Sequence, residues 1–146
     1  MCGAFRYATI GYPAVAAICH CRYCQLRTGS AFGTFVYFLE NNFDLISGSL
    51  KKFNFISESG KKWETDFCGQ CGTTVTFRLE VRPGMIGVSG GTFDPPTFWY
   101  NLSGEVFTRS KAHFLSTIEA SVSHSTYEYY NPIKDDADYK CGDCKV

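Results

Sequence analysis

Three thiols fall within six consecutive positions in Cys19-His20-Cys21-Arg22-Tyr23-Cys24, an odd and dense set that internal disulfides cannot pair off. Such a set suits a metal. Zinc takes thiolates at about 2.3 Å in a tetrahedral array, and CxxC spacing, here Cys21 to Cys24, lets a tight turn aim two sulfurs at one point. Cys19 is placed to supply a third sulfur from the preceding extended residue. Three protein ligands leave one tetrahedral corner open, and an open corner is what separates a catalytic zinc from a closed structural one. His20 has the chemistry to fill that corner, but on an extended segment a residue between Cys19 and Cys21 points to the opposite face.

A second CxxC lies in Phe67-Cys68-Gly69-Gln70-Cys71-Gly72, with glycines placed for a tight knuckle around a metal. Two sulfurs do not complete a structural zinc site. Cys2 is the nearest candidate for a third, and Cys141 and Cys144 are further ones; the competing reading of Cys68 and Cys71 is a pair of half-buried thiols or a redox dithiol. The compartment decides between metal and disulfide for the eight cysteines. The longest apolar run, Ala14 to Ile18, is far short of a bilayer span or a secretory segment, and no basic stretch precedes it. A soluble, cytoplasmic protein with free thiols is expected.

These ligands need a scaffold. The 146 residues predict a single domain, at roughly 150 residues per domain. Composition is 45% hydrophobic and 16% aromatic, which excludes a disordered chain and favours a strand-rich one. Fourteen basic residues balance fourteen acidic ones, so no charge excess pulls the chain to nucleic acid or to an anionic membrane.

Strand-like segments are Ala4 to Thr9, Ala31 to Leu39, Phe43 to Ile46, Leu50 to Ile56, Trp63 to Phe67, Thr73 to Leu79 and Met85 to Val88, with Gly, Asn or Pro between most of them. Alternation in Phe53 and Phe55, and in Val75, Phe77 and Leu79, places each set on one buried face. Core packing accounts for these phenylalanines together with Phe5, Phe32 and Phe35. A short helical turn is expected over Arg22 to Arg27, ended by Gly29. From about Ser121 the sequence turns polar. The expected division is a zinc-binding domain over 1–120 and a polar extension over 121–146, with Lys134 to Val146 a solvated tail.

Taken in order, the motifs resemble the glutathione-dependent formaldehyde-activating enzyme family, also called the centromere protein V-like domain. The matching residues are Cys2-Gly3-Ala4-Phe5-Arg6-Tyr7, the Cys19 to Cys24 cluster followed by Thr28-Gly29-Ser30-Ala31-Phe32, the Phe67 to Thr73 knuckle, and Gly90-Gly91-Thr92-Phe93-Asp94. The resemblance implies an all-β fold of short antiparallel strands with little helix, β-tent-like and stabilised by zinc. It also implies two zinc ions: a catalytic one on Cys19, Cys21 and Cys24, and a structural one on Cys68, Cys71 and Cys2. The family usually opens Cys-x-Cys-Gly, and Met1 stands at x here, so the expectation is either a truncated chain or a structural zinc completed by water or another thiol. His113-Phe114 stands where the family often reads Pro-Trp, which removes support for a substrate role there.

The implied activity is that of a zinc-dependent carbon–sulfur lyase acting on a glutathione–formaldehyde adduct. In that reading Arg22 and Arg27 offset the charge of thiolate and carboxylates, while Thr28 and Ser30 offer hydrogen bonds. The alternative is a non-catalytic zinc-stabilised binding module. A dithiol oxidoreductase on Cys68 and Cys71, or on Cys141 and Cys144, is a third reading. Trp99 and Tyr100 are read either as lining a pocket beside the reactive zinc or as a structural lid, and His124 as exposed to solvent.

Overall fold

Residues 1–127 and 130–132 are described by a computed structural model; Cys141, Cys144 and the tail from Lys134 lie outside the described residues. In chain order the elements are β1 (Arg6–Thr9), β2 (Val15–Cys19), α1 (Arg22–Thr28), β3 (Gly33–Leu39), β4 (Phe43–Ser47), β5 (Leu50–Ile56), β6 (Lys62–Cys68), β7 (Thr74–Leu79), β8 (Met85–Ser89), β9 (Gly104–Val106) and β10 (Val122–His124). One eight-stranded sheet runs β10-β9-β2-β3-β8-β7-β6-β5, and β1 pairs with β4 in a separate ribbon. The protein is mostly β with one α-helix among the described residues, as its sequence predicts. Most pairings are antiparallel; β9 is parallel to both β2 and β10. No described helix is long and apolar enough to cross a membrane.

Alternation sorts side chains to the two faces of the sheet. Val36 and Phe38 of β3 join Ala16, Ile86, Val88 and Tyr100 in one buried cluster. Phe35 of β3 turns to the other face and packs with Cys19, Cys21, Cys24, Val106 and Phe107. The thiols therefore sit inside an apolar layer. Gly87 of β8 makes room in it: a Cβ there would lie 2.3 Å from Cε2 of Phe77, so only glycine lets that ring lie across the strand.

Three expectations change. Ala14 to Ile18, read only as an apolar run, contains most of β2, a central strand. Phe53 is 60% exposed because β5 is the sheet's edge, and Phe55 is half-buried. Of the phenylalanines assigned to the core, only Phe77 is fully buried; Phe5, Phe32 and Phe35 are half-buried.

Candidate metal centres and pocket

The turn between β2 and β3 carries the first cluster. Cys19 ends β2, Cys21 caps the N-terminus of α1 in extended conformation, and Cys24 is the buried residue of that helix. Gly29 in left-handed conformation closes the helix, its N–H donating to the Gln25 carbonyl. All three cysteines are buried, and their sulfurs lie within 4.8 Å of one another. Sulfurs of a tetrahedral zinc site stand about 3.8 Å apart, so the set fits a metal after small adjustments.

The charge of this cluster is set from within. Hydrogen bonding from Cys19 and Cys21, followed by the Arg27 guanidinium, holds the Cys24 thiol well below its ordinary range. Hydrogen bonding with Cys21 and Cys24 and burial push Cys19 well up. Arg27 donates from Nη1 to Ser89 Oγ at 2.8 Å and lies 4.8 Å over the Phe77 ring. A Cβ on Gly33 would stand 2.9 Å from Arg27 Nη2 and 3.5 Å from Cys24 Sγ, which shows how closely cation and sulfur converge.

His20 turns away, as its place between Cys19 and Cys21 predicts. Its Nε2 pairs with Glu105 Oε1 at 2.8 Å, and Lys111 Nζ reaches the same oxygen at 2.8 Å. Burial works to raise the Glu105 carboxyl, yet hydrogen bonds from Lys111 and His20 hold it below the usual range.

The second cluster joins Cys2 to the β6–β7 turn. Cys2 Sγ lies 3.5 Å from Cys68 Sγ and 3.4 Å from Cys71 Sγ. The knuckle closes with Gly72 N–H donating to the Cys68 carbonyl at 2.9 Å and Cys68 N–H to the Thr73 carbonyl at 2.8 Å. The Thr73 hydroxyl and backbone, with Cys2, pull the Cys71 thiol down to about 6. No other group of three such ligands converges among the described residues.

A pocket of about 120 Å³ opens over the first cluster. Cys19, Cys21 and Cys24 line it with Tyr37, Phe77 and Phe107, all buried. Exposed Arg22, Lys61 and Lys62 line its mouth, the two lysines paired with Glu80 and Glu64. Tyr127 and Tyr130, from the stretch read as a polar extension, also line it.

The sequence model of the family described as glutathione-dependent formaldehyde-activating enzyme matches residues 1–110. This chain belongs to that family. A crystal structure of a Rhodobacter sphaeroides protein matches with a TM-score of 0.52 at 19% identity, covering 67% of this chain and 90% of that one. At that identity the likeness supports the fold alone. No curated protein matches the chain.

Within this family member, Cys19, Cys21 and Cys24 converge, as do Cys68 and Cys71, and of the candidates for a third thiol at the second cluster Cys2 is the one that joins it among the described residues. Arg27 reaches the first cluster, whereas Arg22 is exposed at the pocket edge. Trp99 and Tyr100 do not line the pocket: Tyr100 packs in the core on the other face, and Trp99 stacks edge-on against Tyr12 and Phe93. Thr28 turns its hydroxyl onto the Cys24 and Phe32 carbonyls. His113 and His124 are exposed. Glu105, Tyr37, Trp63 and Phe107 were missed, because nothing local marks them.

Proposed function

We propose that this protein is a zinc-dependent carbon–sulfur lyase and synthase of the S-(hydroxymethyl)glutathione type, with its thiol substrate held over Cys19, Cys21 and Cys24. The observation that carries this reading is three buried sulfurs within 4.8 Å of one another lining a pocket that Arg22, Arg27 and Arg82 also line. Bound there, zinc would supply a corner at which an incoming thiol is held without its proton. Cys2, Cys68 and Cys71 would hold the second ion, which would tie the N-terminal segment to the β6–β7 turn.

The chain's own residues supply binding and charge. Arg22, Arg27, Lys61, Lys62 and Arg82 line the pocket against a single acidic side chain, Glu58, among the described residues. Lys61 and Lys62 are already paired with Glu80 and Glu64, so the arginines are what suit a peptide thiol with two carboxylates and offset the charge of a thiolate entering a three-thiolate site. Arg27 is anchored by Ser89 and Phe77, so its guanidinium is positioned before substrate arrives. All six described cysteines are free, which suits a reducing cytoplasm. Both thiol clusters lie within 1–120, the zinc-binding domain in our reading, and the extension over 121–146 adds β10 to the sheet and Tyr127 and Tyr130 to the pocket wall.

Cobalt substitution tests the reading. Adding glutathione to the cobalt protein is expected to change its thiolate charge-transfer bands, and no change at saturating glutathione would favour a closed, non-catalytic binding module. Cys21→Ser is expected to lose one zinc per chain and thiol-dependent turnover above the spontaneous background. Unchanged turnover after that loss would remove the site from the reaction.

A further inference from the structure

Resting on that reading, the pocket walls bear on the second reactant. Formaldehyde carries only hydrogens on its carbonyl carbon and buries almost no apolar surface, so it gains little from aromatic walls. The space beside the sulfurs is nevertheless bounded by buried Tyr37, Phe77 and Phe107 and by half-buried Phe35 and Trp63. These rings are held in place. Trp63 stacks on Phe55 at 5.5 Å, and Phe77 is fixed by Tyr37 at 5.5 Å, by Trp63 at 6.2 Å and by the Arg27 cation. A preformed apolar slot rewards a flat apolar group.

Unmet hydrogen-bonding capacity adds an independent constraint. Trp63 Nε1, a buried donor in the lining, has no hydrogen-bond partner, whereas the Arg27 guanidinium is directed at the Cys24 sulfur, and the described lining leaves no buried acceptor unmet. A buried donor without an acceptor is costly, so the fitting ligand brings oxygen into an otherwise apolar space. The exposed cations, Arg22, Lys61 and Lys62, belong to the mouth. Charge therefore sits outside, with rings and donors inside.

We propose that, beyond formaldehyde, the site takes an aldehyde bearing a flat apolar substituent, so that it also forms and cleaves the hemithioacetal of an anionic peptide thiol and an aryl-type aldehyde. In the forward direction a sulfur lone pair forms the S–C bond, the C=O π pair moves to oxygen, and the thiol proton ends on that oxygen. Cleavage reverses each step, and no oxidant or reductant is consumed.

Calorimetry on the zinc-loaded full chain tests this with stable thioethers: S-benzylglutathione, S-methylglutathione and benzyl methyl sulfide. S-benzylglutathione is expected to bind about tenfold or more tightly than S-methylglutathione. Equal affinities would overturn the proposal. Benzyl methyl sulfide, which lacks the charged peptide, is expected to bind weakest; affinity equal to that of S-benzylglutathione would overturn the anionic-thiol half. Trp63→Ala and the milder Trp63→Leu, checked for fold by circular dichroism, are expected to bring the benzyl-to-methyl ratio toward one, and an unchanged ratio counts against the slot. If glutathione perturbs the cobalt spectrum while the two glutathione thioethers bind alike, only the aldehyde class fails. If the spectrum is silent and neither binds, the underlying function fails with it.

Discussion

His20 stands between two cysteines of the first cluster and serves the opposite face of the sheet. Its fully buried ring bonds Glu105, which also holds Lys111, so removing the imidazole leaves a buried carboxylate with one partner fewer. His20→Ala is expected to lower stability by about 2–4 kcal/mol in urea unfolding of the zinc-loaded protein. Metal content is expected to stay unchanged, because the ring is not a ligand; loss of one zinc would contradict that assignment. Arg27 is the other decisive side chain. Lysine keeps its charge but not the planar fork that bonds Ser89 and lies over Phe77, so Arg27→Lys is expected to weaken glutathione binding about tenfold with zinc retained, read by cobalt titration.

At the scale of elements, strand patterning identified seven of the ten described strands and missed β2, β9 and β10, which are neighbours in the sheet. β2 is buried over nearly its whole length and packs between β3 and β9, so both faces are apolar and no alternation shows. At β5 the error is the opposite: alternating aromatics on an edge strand leave Phe53 in solvent. Gly87 gives this scale its test. Gly87→Ala forces the Phe77 ring to move and is expected to cost about 1–3 kcal/mol in thermal or urea unfolding. The same shift is expected to weaken thioether binding, because Phe77 lines the pocket.

Over the whole molecule, the two cysteine clusters have different reach. Cys19, Cys21 and Cys24 are neighbours in sequence, whereas Cys2 meets Cys68 and Cys71 across most of the first half of the chain. A metal clipping so long a loop removes much unfolded-chain entropy. Two zinc ions per chain are expected on freshly purified protein. Cys68→Ser is expected to reduce the count to one and lower Tm by about 10 °C, while Cys21→Ser lowers the count with a smaller thermal penalty. Equal penalties would mean that the two sites share the structural task.

Sequence alone determined what depends on short-range geometry: the two CxxC turns, Cys19 beside the first, the glycine that stops α1, and the opposed direction of His20. Backbone stereochemistry over a few residues dictates each of these. Only the tertiary structure decided the pocket walls, the His20–Glu105–Lys111 cluster and the parallel placement of β9. Those join residues far apart in the chain, and their meeting is selected by how the whole sheet buries its two faces, a condition no local spacing encodes.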